Sequence, residues 1–356
     1  MFAFLLRLLG WRSSSQVVSF KEATTRERRP SEPRPALAER EQPEEAAAED
    51  EQQGLGGVDN LDAVRRRRAP LDKREQGLLS RIRLWVEAER YDLPILPSTN
   101  MAAMDMAANP GADLAEIVDL IATDPVLSSE LLKTANSVLY ATHKPASTLH
   151  EAVMRIGTRG LRSLIYTVSV KGLVLRTSSL ESYSDEVWRQ SYSVGSIARA
   201  ISRQVAMDPD RAFLIGLLQD LGKVVLLSML SKASERSSDI TPTIVGRVFF
   251  KYHELVGGKV ARTWNLDEEL ISVAGCHHDF ERNEEFGRSA ALASLAHRLD
   301  LVLSTGSAED YRALAGLPHF DALGVAEPVR KEILRVARET YLRVREEGAG
   351  APLAAA

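Results

Sequence analysis

Cysteine is nearly absent from this chain: Cys276 is the only one in 356 residues. A single thiol excludes an intramolecular disulfide and a cysteine-built zinc site, and it fits a reducing compartment, so a cytoplasmic location is expected. Aromatic residues are sparse as well, at 6%. The core must then rest on Leu, Ile, Val and Ala, a balance that favours helix over strand. No long alternating apolar–polar run stands out, so an extended sheet is not expected. The chain has no Gly-rich phosphate loop or dinucleotide fingerprint, and no serine sits in a nucleophile-elbow context. Charge of one sign is lacking too. The formal net charge of -4 gives no whole-chain electrostatic case for nucleic acid.

What is present is ordinary for a globular protein: 44% hydrophobic and 26% charged residues. The first eleven residues, Met1 to Trp11, are apolar but too short to span a bilayer. They read as a short docking helix or, at most, a weak membrane-surface anchor. From about Ser13 to Arg68 the chain is rich in Glu, Arg, Pro, Ala and Gln and lacks apolar periodicity. Such a stretch cannot bury enough surface to offset the entropy of ordering. The four arginines Arg65 to Arg68 that close it read as a solvated run. The expected organisation is a disordered tail over 1–70, a helical domain over 71–290, a C-terminal helical extension over 291–347 and a disordered end over 348–356.

Within the ordered part, helix follows helix. Leu78, Leu79, Ile82, Leu84 and Trp85 make a short amphipathic helix, and Leu93-Pro-Ile-Leu-Pro97 breaks the pattern. Asp124-Pro125 places a capping carboxylate before a proline suited to the first helical position. Leu149 to Ile156 ends at Gly157, and Leu161 to Leu175 reads as a buried helix. Helices are also expected over 187–205, 211–230, 245–264, 268–277, 289–303 and 328–347. Asn136 is expected to end its helix in the left-handed conformation. In the last helix Leu334, Val336, Ala337, Tyr341 and Val344 form a stripe that should cover the bundle. The predicted fold class is all-α, an orthogonal multi-helix bundle.

Several segments arrive in a telling order: Leu93-Pro-Ile-Leu-Pro97, Ile121-Ala-Thr-Asp-Pro125, Leu131-Leu-Lys-Thr-Ala-Asn-Ser137 and Leu149-His-Glu-Ala-Val-Met-Arg-Ile-Gly157. Ala212-Phe-Leu-Ile-Gly-Leu-Leu-Gln-Asp-Leu-Gly-Lys223, Tyr252-His-Glu-Leu-Val-Gly257 and Cys276-His-His278 follow. Together they resemble the HDOD family, the HD-related output domain branch of the HD hydrolase superfamily, over roughly residues 90–285. The resemblance implies a bundle of HD-domain type. In active HD enzymes a His from one helix, a His-Asp pair from the next and further His or Asp ligands hold a divalent metal. That metal acidifies a bound water and polarises a phosphoryl oxygen.

Carried onto this chain, the His-Asp pair falls on Gln219 and Asp220, and the preceding helix offers Gln190. A neutral amide is a poor ligand for first-row metals and cannot act as a base. Asp220, His253, His277, His278 and His297 remain. The bland readings are that Asp220 and His253 bond neighbouring helix ends and that His277 and His278 cap final carbonyls. The alternative is a vestigial pocket that binds a nucleotide-like ligand without cleaving it. Neither a metal nor another cofactor is expected, and no catalytic residue is assigned. The implied function is a non-catalytic module of a bacterial signalling pathway, acting through protein partners or a small ligand. A residual phosphohydrolase or phosphodiesterase is the second reading. Cyclic-dinucleotide cleavage is disfavoured because His277-His-Asp-Phe-Glu-Arg282 runs on without a Gly-Tyr-Pro motif. A nucleic-acid-associated sensor is the third, resting on Arg155, Arg159, Arg162 and Lys171 near one helix.

Overall fold

The computed structural model describes residues 70–347, apart from 110, 138–139, 141, 143, 175–179, 235, 237–238 and 307. The expectations for the apolar start, the charged tail with Arg65 to Arg68, and the end of the chain lie outside the described residues. Every regular element among the described residues is helical, as the scarcity of aromatics and the helical periodicity require.

The chain runs through α1 (Lys73–Glu87), α2 (Ser98–Ala108), α3 (Leu114–Ala122), α4 (Pro125–Ala135) and α5 (Leu149–Val174). It continues through α6 (Glu181–Ile201), α7 (Pro209–Leu218), α8 (Leu221–Ala233), α9 (Pro242–Thr263) and α10 (Glu268–Cys276). It ends with α11 (Gly287–Thr305), the short α12 (Ala308–Ala313) and α13 (His319–Ala322), and α14 (Glu327–Glu347). Start signals are local and strong. Asp72 and Glu75 form a reciprocal capping box on α1. Asp124, Asp208 and Thr241 each cap a helix that opens with proline, whose missing N–H costs nothing there.

One break falls where the sequence places it, and one run departs from the periodicity. In α5, Gly157 has φ 74° and ψ 167°, so the element is two helical arms meeting at a break that other residues adopt only with strain. The run 211–230, expected as one helix, is instead α7 and α8 separated at Gln219–Asp220. Apolar residues continue on both sides of that break, which is why periodicity does not reveal it. Asn136 also differs from expectation: its φ is −98°, outside the left-handed region. It ends α4 with its side chain, donating to Ala146 O at 2.9 Å and accepting from Ala146 N at 2.6 Å.

Two buried clusters hold the bundle. The first joins α1–α5 with α7–α10 through residues such as Ile82, Ile117, Leu131, Ile165, Phe213, Leu226 and Val256. The second joins the C-terminal half of α6 to α11, α13 and α14 through Ile197, Leu295, Phe320, Ile333 and Tyr341. Within the last helix Leu334, Ala337, Tyr341 and Val344 are buried, and Val336 packs at the edge of the second cluster. The segment Pro209–Ala233 is long and apolar enough to cross a membrane, with mean hydropathy 1.8 over an 18-residue window, but 89% of that window is buried inside the bundle.

Candidate functional site

The break between α7 and α8 places Gln219 and Asp220 at the centre of the first cluster, 0% and 2% exposed. Opposite them α9 brings His253 and Glu254, and the end of α10 brings His277 and His278. Gln190 comes from α6 and His297 from α11. The close approach of α8 to α9 depends on glycine: a Cβ at Gly222 would lie 1.9 Å from His253 O and 2.7 Å from Gly257 N. No side chain fits there, so the backbone beside Asp220 packs directly against the turn that carries His253.

Asp220 stands at the N-cap position of α8 but makes no side-chain capping bond. Its Oδ2 accepts from Lys223 Nζ at 2.8 Å, and the same ammonium donates to Gln190 Oε1 at 3.0 Å. The Gln190 amide then donates from Nε2 to His297 Nε2 at 3.2 Å. These contacts orient the amide unambiguously, because an ammonium can meet only its oxygen. Burial works against a charged Asp220. The Lys223 ammonium outweighs it and holds the carboxyl far below the usual carboxylate range.

The imidazoles are fixed by the helices that carry them. His253 Nδ1 donates to Phe249 O at 2.6 Å, and His277 Nδ1 donates to Val273 O at 3.1 Å. Each Nε2 is therefore the nitrogen turned inward. The His278 ring meets His253 Nε2 at 3.1 Å, while its backbone N–H donates to Glu254 Oε1 at 2.8 Å. Burial pushes His253 down to about 3 and His297 well below its ordinary value, so both are neutral at pH 7. His253 Nε2 and His277 Nε2 lie 3.7 and 3.9 Å from Asp220 Oδ1. Asp220 Oδ1, His277 Nε2 and Gln219 Oε1 are buried without a hydrogen-bond partner.

The structure thus brings together all six residues singled out from the sequence, Gln190, Gln219, Asp220, His253, His277 and His278, along with His297. The part of the bland reading that fits is the contact of His277 with a final carbonyl of α10. Lys223 and Glu254 were missed. The spacing of Asp220 and Lys223, three residues apart at a helix start, is the signal that could have found the first of them.

Two overlapping groups of side chains place ligand atoms as close together as a divalent cation would need. Asp220, His277 and His297 offer ligand atoms within 4.8 Å of one another, two of them unpartnered. Such an ion would polarise a bound oxygen as a Lewis acid. His253, Glu254 and His278 form a second group with the same His277, so the two groups share a ligand.

A bundle of this kind, closed around a buried His/Asp cluster at a helix break, defines an all-α protein of HD type. The HDOD domain profile matches residues 93–280, more than half of the chain, and the chain belongs to the HDOD domain family. An uncharacterised protein of Treponema pallidum (strain Nichols) is 33% identical over 204 residues. That match takes in 54% of this chain and 39% of the relative, so the chain spans well under half of the curated protein it resembles. A crystal structure of a provisionally named metal-dependent phosphohydrolase from Shewanella amazonensis SB2B superposes with TM-score 0.57 at 22% identity, covering 76% of this chain and all of that one. A provisionally named signal transduction protein from Marinobacter aquaeolei VT8 gives TM-score 0.52 at 19% identity, covering 84% of this chain and 68% of that one. At these identities the two structures share the fold.

Proposed function

We propose that this protein is a non-catalytic signalling module of the HDOD family, whose HD-derived pocket is kept as a rigid polar joint or small-ligand site rather than a hydrolytic centre. The observation that carries this reading is the Lys223 ammonium held between Asp220 and Gln190. The positive charge that a buried carboxylate demands is supplied by the chain itself, at the place where a hydrolase relies on metal. Two neutral amides stand where imidazole ligands would be needed, which lowers metal affinity and leaves no complete centre to activate water. The name of the Marinobacter protein is consistent with a signalling role, and the all-helical surface suits protein partners. Three of the four basic residues named for a nucleic-acid reading make contacts within the chain: Arg155 bonds Lys144 O, Arg159 pairs with Asp208, and Lys171 lies over Trp188.

The test is metal content by mass spectrometry after incubation with manganese, iron and zinc and desalting, together with hydrolysis of bis(p-nitrophenyl) phosphate. Metal-free protein without turnover is the expected result. Near-stoichiometric metal with turnover overturns the reading and restores the phosphohydrolase.

A further inference from the structure

On the side of α8 away from the histidine cluster, the end of α1 and the segment after it enclose a cavity of about 360 Å³. That is within the range of about 300–1,000 Å³ typical of small-molecule sites. Val225, Ser228, Met229 and Lys232 of α8 line one wall, spaced at the i, i+3, i+4 and i+7 positions that share a helix face. Trp85 and Tyr91 bring aromatic surface from the other side.

The segment between those two aromatics is built in an unusual way. Arg90 N donates to Trp85 O at 2.8 Å and Glu89 N to Val86 O at 3.2 Å, the paired bonds of a Schellman ending. The residue in the left-handed position is Glu89, at φ 52°, where glycine would sit without strain. Its carboxylate is used: Lys259 of α9 donates to it at 2.6 Å. This strained turn aims Arg90 and Tyr91 at the cavity. The Tyr91 hydroxyl is buried, with the Lys259 ammonium beside it.

Charge settles the class of ligand. Glu89 is answered by Lys259, and Asp92 accepts from Lys232 at 2.7 Å. Arg90 is exposed at the rim and forms no ion pair among the described residues. One cation is therefore left uncompensated beside two aromatic side chains, a thioether and a buried phenol. We infer that this cavity between α1 and α8 binds a small planar aromatic molecule bearing a single negative charge. The aromatic walls would take its ring, the Arg90 guanidinium its anionic group, and the Tyr91 hydroxyl a polar atom of the ring. The site is separate from the histidine cluster, and the inference stands whether or not that cluster binds metal.

The experiment is a fluorescence titration of the full chain with 8-anilinonaphthalene-1-sulfonate, a monoanion whose naphthalene ring is the planar part, beside three variants. Ser228→Trp fills the cavity, Arg90→Glu reverses the rim charge, and Lys331→Glu alters a distant basic helix as control. The expected result is saturable one-to-one binding, weakened at least tenfold by each of the first two variants and unchanged by the third. The thermal midpoint of Arg90→Glu should match that of the parent, since the side chain is exposed. No saturable binding, or equal binding by the parent, Ser228→Trp and Arg90→Glu, overturns the site. Loss with Ser228→Trp but not with Arg90→Glu overturns the assignment of an anion.

Discussion

Lys223 Nζ lies 2.8 Å from Asp220 Oδ2, with the two side chains 9% and 1% exposed. A buried ion pair of this kind is retained at the cost of desolvating both charges, so its removal by halves is far worse than its absence. Lys223→Met should destabilise the fold by about 3–5 kcal/mol, because Asp220 is left buried without its ion-pair partner. Adding Asp220→Asn in the same chain should recover a good part of that loss. Urea midpoints of the two variants and the parent measure both effects. Equal midpoints for the parent and Lys223→Met would show that the carboxylate draws its stability from elsewhere.

The second prediction concerns pH, and it lies in the C-terminal half of the bundle. His319 is 2% exposed, its Nε2 meets Ser294 Oγ at 2.9 Å, and its ring stacks on Phe280 at 4.5 Å. Burial, aided by Arg298, pushes its imidazole down to about 3. Asp300, one turn beyond His297 on α11, moves the other way: burial raises its carboxyl to about 6, against the pull of Ser193 and Arg189. A depressed histidine contributes stability that is present above its unfolded value of about 6.5 and is lost as pH falls towards 3. A raised aspartate contributes stability that is present below about 3.9 and is lost as pH rises through 6. The two oppose each other between about pH 4 and 6. Asp300→Asn removes the opposing group, so the variant should be more stable than the parent at pH 7 and should lose stability more steeply between pH 6 and 4. Chemical denaturation at several pH values checks both slopes.

The fold was largely legible because its start signals are local. Asp or Thr before proline marks the beginnings of three helices, and the apolar stripe of the last helix is spaced as a buried face must be. The site was legible only in part, for reasons that can be named. Gln219 and Asp220 were located from the family motif, but the helix break that turns them inward is hidden in a continuous apolar run. The role of Lys223 depends on which partner Asp220 chooses, and a nearby helix end and a cation three residues on were both available. His297 is among the candidates the sequence offers, but its meeting with Asp220, more than seventy residues away, depends on α11 packing against α6. Asn136 was read by its backbone tolerance, whereas the fold uses its amide.

The contact between α8 and α9 allows a sharp test of packing. At Gly222 even a methyl group would overlap the His253 carbonyl, 1.9 Å away, and the obstacle is backbone rather than a movable side chain. Overpacking of a well-filled core costs about 1–3 kcal/mol where side chains can yield, so Gly222→Ala should exceed about 3 kcal/mol or prevent folding. Gly172→Ala, where a Cβ would meet nothing within 4 Å, is the matched control on a helix and should be neutral or mildly stabilising. Thermal midpoints and soluble yield distinguish them.

The strongest test of the missing ligands is to restore them. Gln190 accepts from Lys223 and donates to His297, so its amide completes a hydrogen-bond chain in which every polarity is set. An imidazole there could not serve Lys223 and His297 in the same way while also offering a lone pair to a metal. At the neighbouring position Gln219 Oε1 is buried and unpartnered, so an imidazole would displace no hydrogen bond of that oxygen. With Asp220 Oδ1 and His277 Nε2 already free, Gln219→His adds a nitrogen ligand beside them, and Gln190→His adds another. The double variant should raise bound manganese or iron at least tenfold over the parent after desalting, and chelator should lower its thermal midpoint. Gln190→His alone should destabilise the metal-free protein by about 1–3 kcal/mol, because it breaks the chain that satisfies Lys223. Metal content unchanged in the double variant would mean that the two glutamines are not what keeps metal out. The Lys223 ammonium, seated on Asp220, would then be the barrier, and Lys223→Met in the same background would be the variant that lets the ion in.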